Sequence, residues 1–242
     1  HEEIKDLLCE DVSAIHQAGK RAYYILPPVF RKSTAEFYAG LAAWLPAIYL
    51  DGIVVGSYDS LGFALKHLSA MPFILDHRLY LFNSRAKAGF GSQHPLRDTA
   101  PLELNRGELL ARDNRGTELI LYGYLPLMLT AQCVHANNDI CDKQPGLSYL
   151  KDRYGKYFPV KNHCQDCYNT LYNSTPLLLF DCRLDVMDMG IVHGRLSFTI
   201  ESEIETGRIL DLYEASFLTG TCSVKNVYQG EYTNGHYKRG VE

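Results

Sequence analysis

Gly52-Ile-Val-Val-Gly-Ser57 and Pro72-Phe-Ile-Leu-Asp76, with Leu61, Leu65 and Leu68 at helical spacing between them, decide the fold class of this chain. Each outer segment is a continuous apolar and β-branched run, the pattern of a strand buried on both faces. Asp59 stands where it can cap the helix between them. Strand, helix and strand together form a βαβ unit, which requires a parallel sheet.

The same rhythm runs outward in both directions. Upstream, residues 3–18 place Ile4, Leu7, Leu8, Val12 and Ile15 on one helical stripe that Gly19 ends, and residues 22–26 read as a short strand. Ser33-Thr-Ala-Glu36 is a capping box opening a helix through Phe37, Leu41 and Leu45, closed by Pro46. Downstream, strands are expected at 100–104, 118–123, 177–181 and 195–200, and a last helix at 206–218.

Such a sheet is either doubly wound or of the barrel type. Ser57, Asp76, Glu103, Asp181 and Glu201 each end an expected strand in a polar side chain, and in a barrel those positions face the catalytic end. Taken singly, each also reads as a strand-ending cap. Their repetition favours an α/β fold, a partial or distorted (β/α) barrel of TIM type with a cysteine-rich insert. Residues 1–127 supply βα repeats, 128–174 the insert, and 175–242 the final strands, C-terminal helix and tail. The start at His-Glu-Glu, without Met or an apolar leader, reads as a piece cut from a longer protein whose remainder supplies the other strands.

Composition bounds the function. A chain of 242 residues, 46% hydrophobic and 21% charged, buries a core without staples. Its 24 Lys and Arg against 28 Asp and Glu leave a net charge of −4, which excludes a generally basic nucleic-acid coat but permits a local basic patch. The apolar stretch 39–50 is broken by Pro46 and too short to span a bilayer. Seven cysteines, an odd number in a chain of this size, indicate reduced, cytoplasmic chemistry and not a secreted disulfide framework.

Four of those cysteines, Cys133, Cys141, Cys164 and Cys167, form C-x7-C-x22-C-x2-C. Four thiolates within 35 residues, two as a close pair, meet the needs of a [4Fe-4S] cluster or a tetrahedral zinc ion. The x7 gap departs from the paired short knuckles of zinc ribbons. His135 and His163 are adjacent alternative ligands, or donors behind the thiolates. Cys9, Cys182 and Cys222 stand singly and read as inert thiols. Between Cys141 and Cys164, Lys143, Lys151, Arg153, Lys156 and Lys161 outnumber Asp142 and Asp152, with Tyr149, Tyr154, Tyr157 and Phe158 interleaved. Residues 150–160 read as a hairpin turning at Gly155. Cations for phosphates and ring faces for bases make 143–161 a candidate RNA-contacting surface. A solvated hairpin packed by one aromatic face is the alternative. No G-x-S-x-G elbow, H-E-x-x-H helix, P-loop or G-x-G-x-x-G fingerprint is present.

Several segments together resemble peptidase family U-32, the collagenase-like group. They are Gly123-Tyr-Leu-Pro-Leu-Met-Leu-Thr-Ala-Gln-Cys133, Leu150-Lys-Asp-Arg-Tyr-Gly-Lys156, Asn162-His-Cys-Gln-Asp-Cys167, Leu171-Tyr-Asn-Ser-Thr-Pro-Leu177 and the close from Tyr232 to Glu242. Asp76-His-Arg-Leu-Tyr-Leu-Phe-Asn83 and Leu102-Glu-Leu-Asn105 also resemble its earlier barrel segments. The resemblance implies a barrel-type enzyme, of which this chain is the C-terminal part. It implies either a peptidase of undefined catalytic type or an enzyme hydroxylating RNA or a small molecule with a [4Fe-4S] cluster on four cysteines. Cys133, Cys141, Cys164 and Cys167 are the matching candidates for that cluster, or for zinc. Asp76, Asn83 and Glu103 are the candidate catalytic residues lining the pocket, a carboxylate serving as acid, base or orienter. The implied partner is a macromolecular substrate, RNA or peptide. A zinc-stabilised binding module gripping RNA or a partner is the non-catalytic reading.

Overall fold

The computed structural model describes residues 2–138, 141–164, 166–220, 228 and 230–240. The chain divides into two compact units, His1–Glu118 and Leu119–Glu242. In the first, α1 (Glu2–Gln17), β1 (Tyr23–Ile25), α2 (Lys32–Leu41), β2 (Gly52–Val55), α3 (Tyr58–His67), β3 (Phe73–Leu75), α4 (Ser84–Gly89), β4 (Arg97–Thr99) and α5 (Arg106–Ala111) alternate before β5 (Thr117–Gly123). The strands lie side by side in chain order and parallel, with Tyr23 opposite Gly52, Ile53 opposite Phe73, Ile74 opposite Arg97 and Asp98 opposite Thr117. Across β1 to β5 the order runs without reversal, so these strands contain no switch point of the doubly wound kind. The parallel sheet is curled into a half-barrel, a mixed α/β architecture compatible with a partial barrel.

The apolar runs that announced the sheet are its core. Ile53, Val55 and Leu75 are fully buried against Leu26, Leu61, Phe63 and Leu79, each such side chain contributing about 1.5–3 kcal/mol of transfer free energy. Helix α3 presents Leu61, Ala64 and Leu68 to this core while Leu65 faces solvent. Its N-cap is Ser57, whose hydroxyl accepts the Ser60 N–H at 3.1 Å, and Asp59 sits two residues on in the first turn, where its charge meets the positive helix end.

Three expectations for this unit are corrected. Helix α2 starts at Lys32 behind Arg31, which makes no side-chain cap, so Ser33 is inside the first turn and no capping box forms. That phase turns Thr34 and Tyr38, four residues apart, into the core. The helix stops at Leu41, and Pro46 opens a separate 3-10 turn, Leu45–Ile48, instead of closing α2. The strand expected at 100–104 is Arg97–Thr99, shifted towards the N-terminus. Pro101 lacks the N–H a ladder needs, while the polar Asp98 enters the sheet because cations are waiting for it.

In the second unit, residues 126–172 form a four-stranded antiparallel sheet where an irregular insert was expected. Its strands are β6 (Pro126–Thr130), β7 (Gly146–Lys151), β8 (Tyr157–His163) and β9 (Tyr168–Tyr172), in the order β6-β9-β8-β7. The β7–β8 hairpin turns at Gly155, whose φ of 84° suits glycine. Beyond it, β10 (Leu177–Leu178) runs antiparallel to the end of β5, contrary to the all-parallel expectation. Helix α6 (Arg183–Asp188), β11 (His193–Ser197), which pairs with β5, and α7 (Glu203–Tyr213), continued by a π-turn to Leu218, complete the unit. Tyr213 fastens α7 to the strands, its hydroxyl donating to Leu121 O at 2.5 Å and accepting from Leu179 N at 3.1 Å. Among the described residues, no helix is long and apolar enough to cross a membrane.

Candidate functional site

The three candidate catalytic residues sit in the first unit. Asp76 directly follows β3 and is buried, its Oδ2 accepting from Arg78 Nε at 2.7 Å and its Oδ1 3.1 Å from His77 Nδ1. This is where a parallel sheet exposes chemistry. Asn83 caps α4, its Oδ1 accepting from Ala86 N at 2.9 Å. Glu103 lies in the loop after β4, and its Oε2 is buried with no hydrogen-bond partner among the described residues. Asp181 and Ser57, two of the other strand-ending residues, take local roles: Asp181 accepts from Cys182 Sγ at 3.3 Å, and Ser57 caps α3.

A charged network that sequence reasoning missed lies at the opposite, N-terminal end of β5. Asp98 is buried between Lys87, 2.9 Å from its Oδ1, and Arg112, which pairs with its Oδ2. Thr117 donates to Oδ1 at 3.1 Å. Arg112 also donates to Leu81 O and Asn114 Oδ1, and Lys87 to the carbonyls of Asp113 and Arg115. The only signal in the sequence was an acidic residue inside a strand-length run. The position marks it as a stabilising network, since ligands of such sheets bind at the other strand ends.

The four candidate ligands occupy the connections of the antiparallel sheet. Cys133 and Cys141 lie between β6 and β7, and Cys164 and Cys167 in the turn between β8 and β9. Cys164 Sγ donates to Gln144 O at 3.0 Å, and Cys167 Sγ lies 3.7 Å from Cys164 O, with Cys167 in the left-handed region at φ 49°. The Cys164 thiol is pushed up, first by burial and then by Cys133, Cys141, Asp142 and Cys167, so all three other thiols act on it. Among the described residues, no three His, Cys, Asp or Glu side chains stand close enough together to hold a metal ion. His163 stacks on Tyr168 with ring centroids 4.3 Å apart and bonds Thr170 at 3.0 Å, while His135 Nε2 is 3.1 Å from Asn162 Nδ2. Both histidines are thus engaged in packing and bracing.

Beneath the cysteines, Asn162 and Asn169 face each other across β8 and β9 and are buried. The amide of Asn162 reaches His135, and that of Asn169 donates to Gln132 O at 3.0 Å, tying both sides of Cys133 to the strands that carry Cys164 and Cys167. Their Oδ1 atoms are buried and have no hydrogen-bond partner among the described residues. Cys9 is exposed and Cys182 buried, its thiol pushed up to about 12 mainly by burial, which keeps it protonated and inert. Cys222 lies outside the described residues.

On the β7–β8 hairpin Tyr149, Tyr154 and Tyr157 are exposed, while Phe158 is half-buried. Lys151 lies over Tyr157 at 5.2 Å and Arg153 over Tyr154 at 4.6 Å. A second cluster in the same unit gathers tyrosines around Glu201, whose Oε2 accepts from Thr199 N at 2.6 Å and Ile200 N at 2.9 Å. Burial first, then the Glu201 charge, raises the Tyr122 hydroxyl, and burial together with Tyr228 and Glu205 raises Tyr124 to about 12. These phenols stay neutral, and the buried Tyr122 hydroxyl is engaged by Glu201. Glu201 was one of the strand-ending polar residues; its tyrosines carried no sequence signal.

No protein-family model, curated protein or solved structure matches the chain.

Proposed function

We propose that this chain is the C-terminal part of a cytoplasmic U-32-type enzyme on a barrel of TIM type, holding a [4Fe-4S] cluster on Cys133, Cys141, Cys164 and Cys167 and acting on RNA or another large substrate. The observation that carries the reading is the placement of the four cysteines, Cys133 and Cys141 in the β6–β7 connection and Cys164 and Cys167 in the β8–β9 turn of one antiparallel sheet, although up to 34 residues separate them in sequence. The chemistry of the donors supports it, four thiols being soft ligands, with the neighbouring histidines engaged elsewhere; the described side chains would have to draw together around the group to bind it. Such a group, when bound, supplies electron transfer or binding of substrate at an open iron. The protein's own residues do the rest. Asn162 and Asn169 brace the Cys133 segment, the exposed Tyr149, Tyr154 and Tyr157 with Lys151 and Arg153 offer stacking faces and cations to RNA, and Asp76 and Glu103 supply carboxylates to orient a substrate or move a proton.

Purification of the full chain without oxygen, followed by iron, sulfide and absorption measurements, tests this. Stoichiometric iron and acid-labile sulfide, lost together in Cys164→Ser, support it. A colourless protein with neither overturns it. The Cys164-x2-Cys167 turn, with Cys167 in the left-handed region, favours one second reading, a zinc-stabilised RNA- or partner-binding module. Stoichiometric zinc with no iron after anaerobic preparation selects it. Peptide cleavage by homogeneous protein, abolished in Asp76→Ala or Glu103→Ala, selects a peptidase instead.

A further inference from the structure

The structure carries a second feature that does not depend on the cysteines. Arg78, just beyond β3, lies across Gly56 at the end of β2. A Cβ on Gly56 would stand 2.2 Å from Arg78 Nη2 and 2.6 Å from its Cζ, so only glycine permits the guanidinium to lie there. Asp76 holds it through Nε at 2.7 Å, and among the described residues Nη1 and Nη2 have no hydrogen-bond partner. The side chain keeps 23% of its surface exposed. A guanidinium fixed from behind, with neither terminal amino group engaged among the described residues, presents the planar fork that matches a phosphate bidentately. It stands at the C-terminal ends of two parallel strands, where ligands of such sheets bind.

The rings on the same segment specify more. Tyr80 and Phe82 are stacked at 5.7 Å with an interplanar angle of 4°, and both are exposed. Tyr80 is held at φ 54°, ψ 50°, a left-handed conformation that costs a non-glycine residue free energy and so marks a constrained position. Within residues 76–83 the chain thus supplies a carboxylate-oriented fork and a pair of solvent-facing rings.

We propose that Gly56, Asp76 and Arg78 form a phosphate-binding site, with Tyr80 and Phe82 as the adjoining platform for a planar ring, and that the ligand is a nucleotide phosphate. A free nucleotide and a residue of a polynucleotide share this chemistry. Calorimetric titration of the full chain with inorganic phosphate, adenosine monophosphate and a short single-stranded oligonucleotide separates them. Saturable binding is expected, weakened about tenfold or more in Arg78→Lys, which keeps the charge but loses the fork. Gly56→Ala is expected to do the same, because its methyl group displaces only the flexible end of Arg78 and leaves the backbone unstrained. Tyr80→Ala is expected to weaken the two ring-bearing probes and spare inorganic phosphate. Preference for the oligonucleotide identifies a polynucleotide, and equal affinity for the mononucleotide a free ligand. Absence of saturable binding by all three probes, or unchanged binding in both Arg78→Lys and Gly56→Ala, overturns the proposal. Either outcome leaves the cluster reading standing, since iron and sulfide report on that separately.

Discussion

Replacing Asp98 by Asn removes one negative charge from between two cations and leaves its shape almost unchanged. Asp98 and Arg112 are buried, with side-chain exposures of 3% and 1%, and Lys87 keeps only 21%. Removing one partner of a buried ion pair costs about 3–5 kcal/mol, because the remaining charge stays desolvated without compensation. Here the remaining charges retain neutral acceptors: Arg112 keeps Leu81 O, Asn114 and Thr117, and Lys87 keeps two carbonyls and Thr117. An Asn carbonyl oxygen can also still accept one hydrogen bond. Asp98→Asn therefore belongs at the lower end, about 3 kcal/mol, and Asp98→Ala, which adds a void, nearer 5 kcal/mol. Against a total stability of about 5–15 kcal/mol, either loss is large. The single tryptophan, Trp44, packs against the core of the same unit, so its fluorescence during urea unfolding reports there. A midpoint drop in Asp98→Asn with an unchanged slope is expected. A loss under about 1 kcal/mol would refute the reasoning, since a surface pair gives that much. The control is Asp113→Asn, which breaks the exposed pair with Arg115 and is expected to leave the midpoint in place.

Three further outcomes follow from the same geometry. Asn169→Ala cuts the tie to Gln132 and is expected to cost about 1–3 kcal/mol and, in anaerobically prepared protein, to speed loss of iron to a chelator; an unchanged stripping rate would show that Asn169 does not brace Cys133. In alkaline ultraviolet titration, Tyr124 is expected to ionise near 12 and Tyr122 and Tyr213 only on unfolding. Because the folded state keeps these protons longer than the unfolded chain, stability is complete below about pH 10 and falls as pH rises towards 12. Asp51, lowered by its hydrogen bonds from His16 and the Ala22 N–H, works the other way: its contribution holds above the ordinary carboxylate range and is lost as pH falls through it. Asp51→Asn should therefore flatten the acid limb of the stability profile, and an unaltered limb would mean that this contact does not anchor α1.

Much of the first unit was legible because its strands are buried on both faces and therefore spell themselves out in apolar runs, as at Ile53–Val55 and Phe73–Leu75. Where the physics is local, as in the hairpin turning at Gly155 or the helical stripe of α1, neighbouring residues suffice. Helix starts were less legible. Ser57 and Asp59 are both good caps, and Ser33 with Glu36 forms a sound box on paper, but the residues that must face the core, Thr34 and Tyr38, set the phase of α2. Strand β4 was misplaced because Asp98 is polar, and its presence in the sheet depends on Lys87 and Arg112, which lie 11 and 14 residues away.

The sequence by itself determined the α/β class, the parallel βαβ order of the first unit and the four cysteines as the residues worth following, since composition, periodicity and spacing are properties of the chain alone. Only the tertiary structure decided that residues 126–172 form an antiparallel sheet whose turns carry those cysteines, that Asp98 is enclosed by cations, and that Arg78 rests on Gly56. Each of these depends on which distant segments share a site. The burial that turns a surface charge into a network, or an arginine into an oriented fork, exists only once the chain has closed around it.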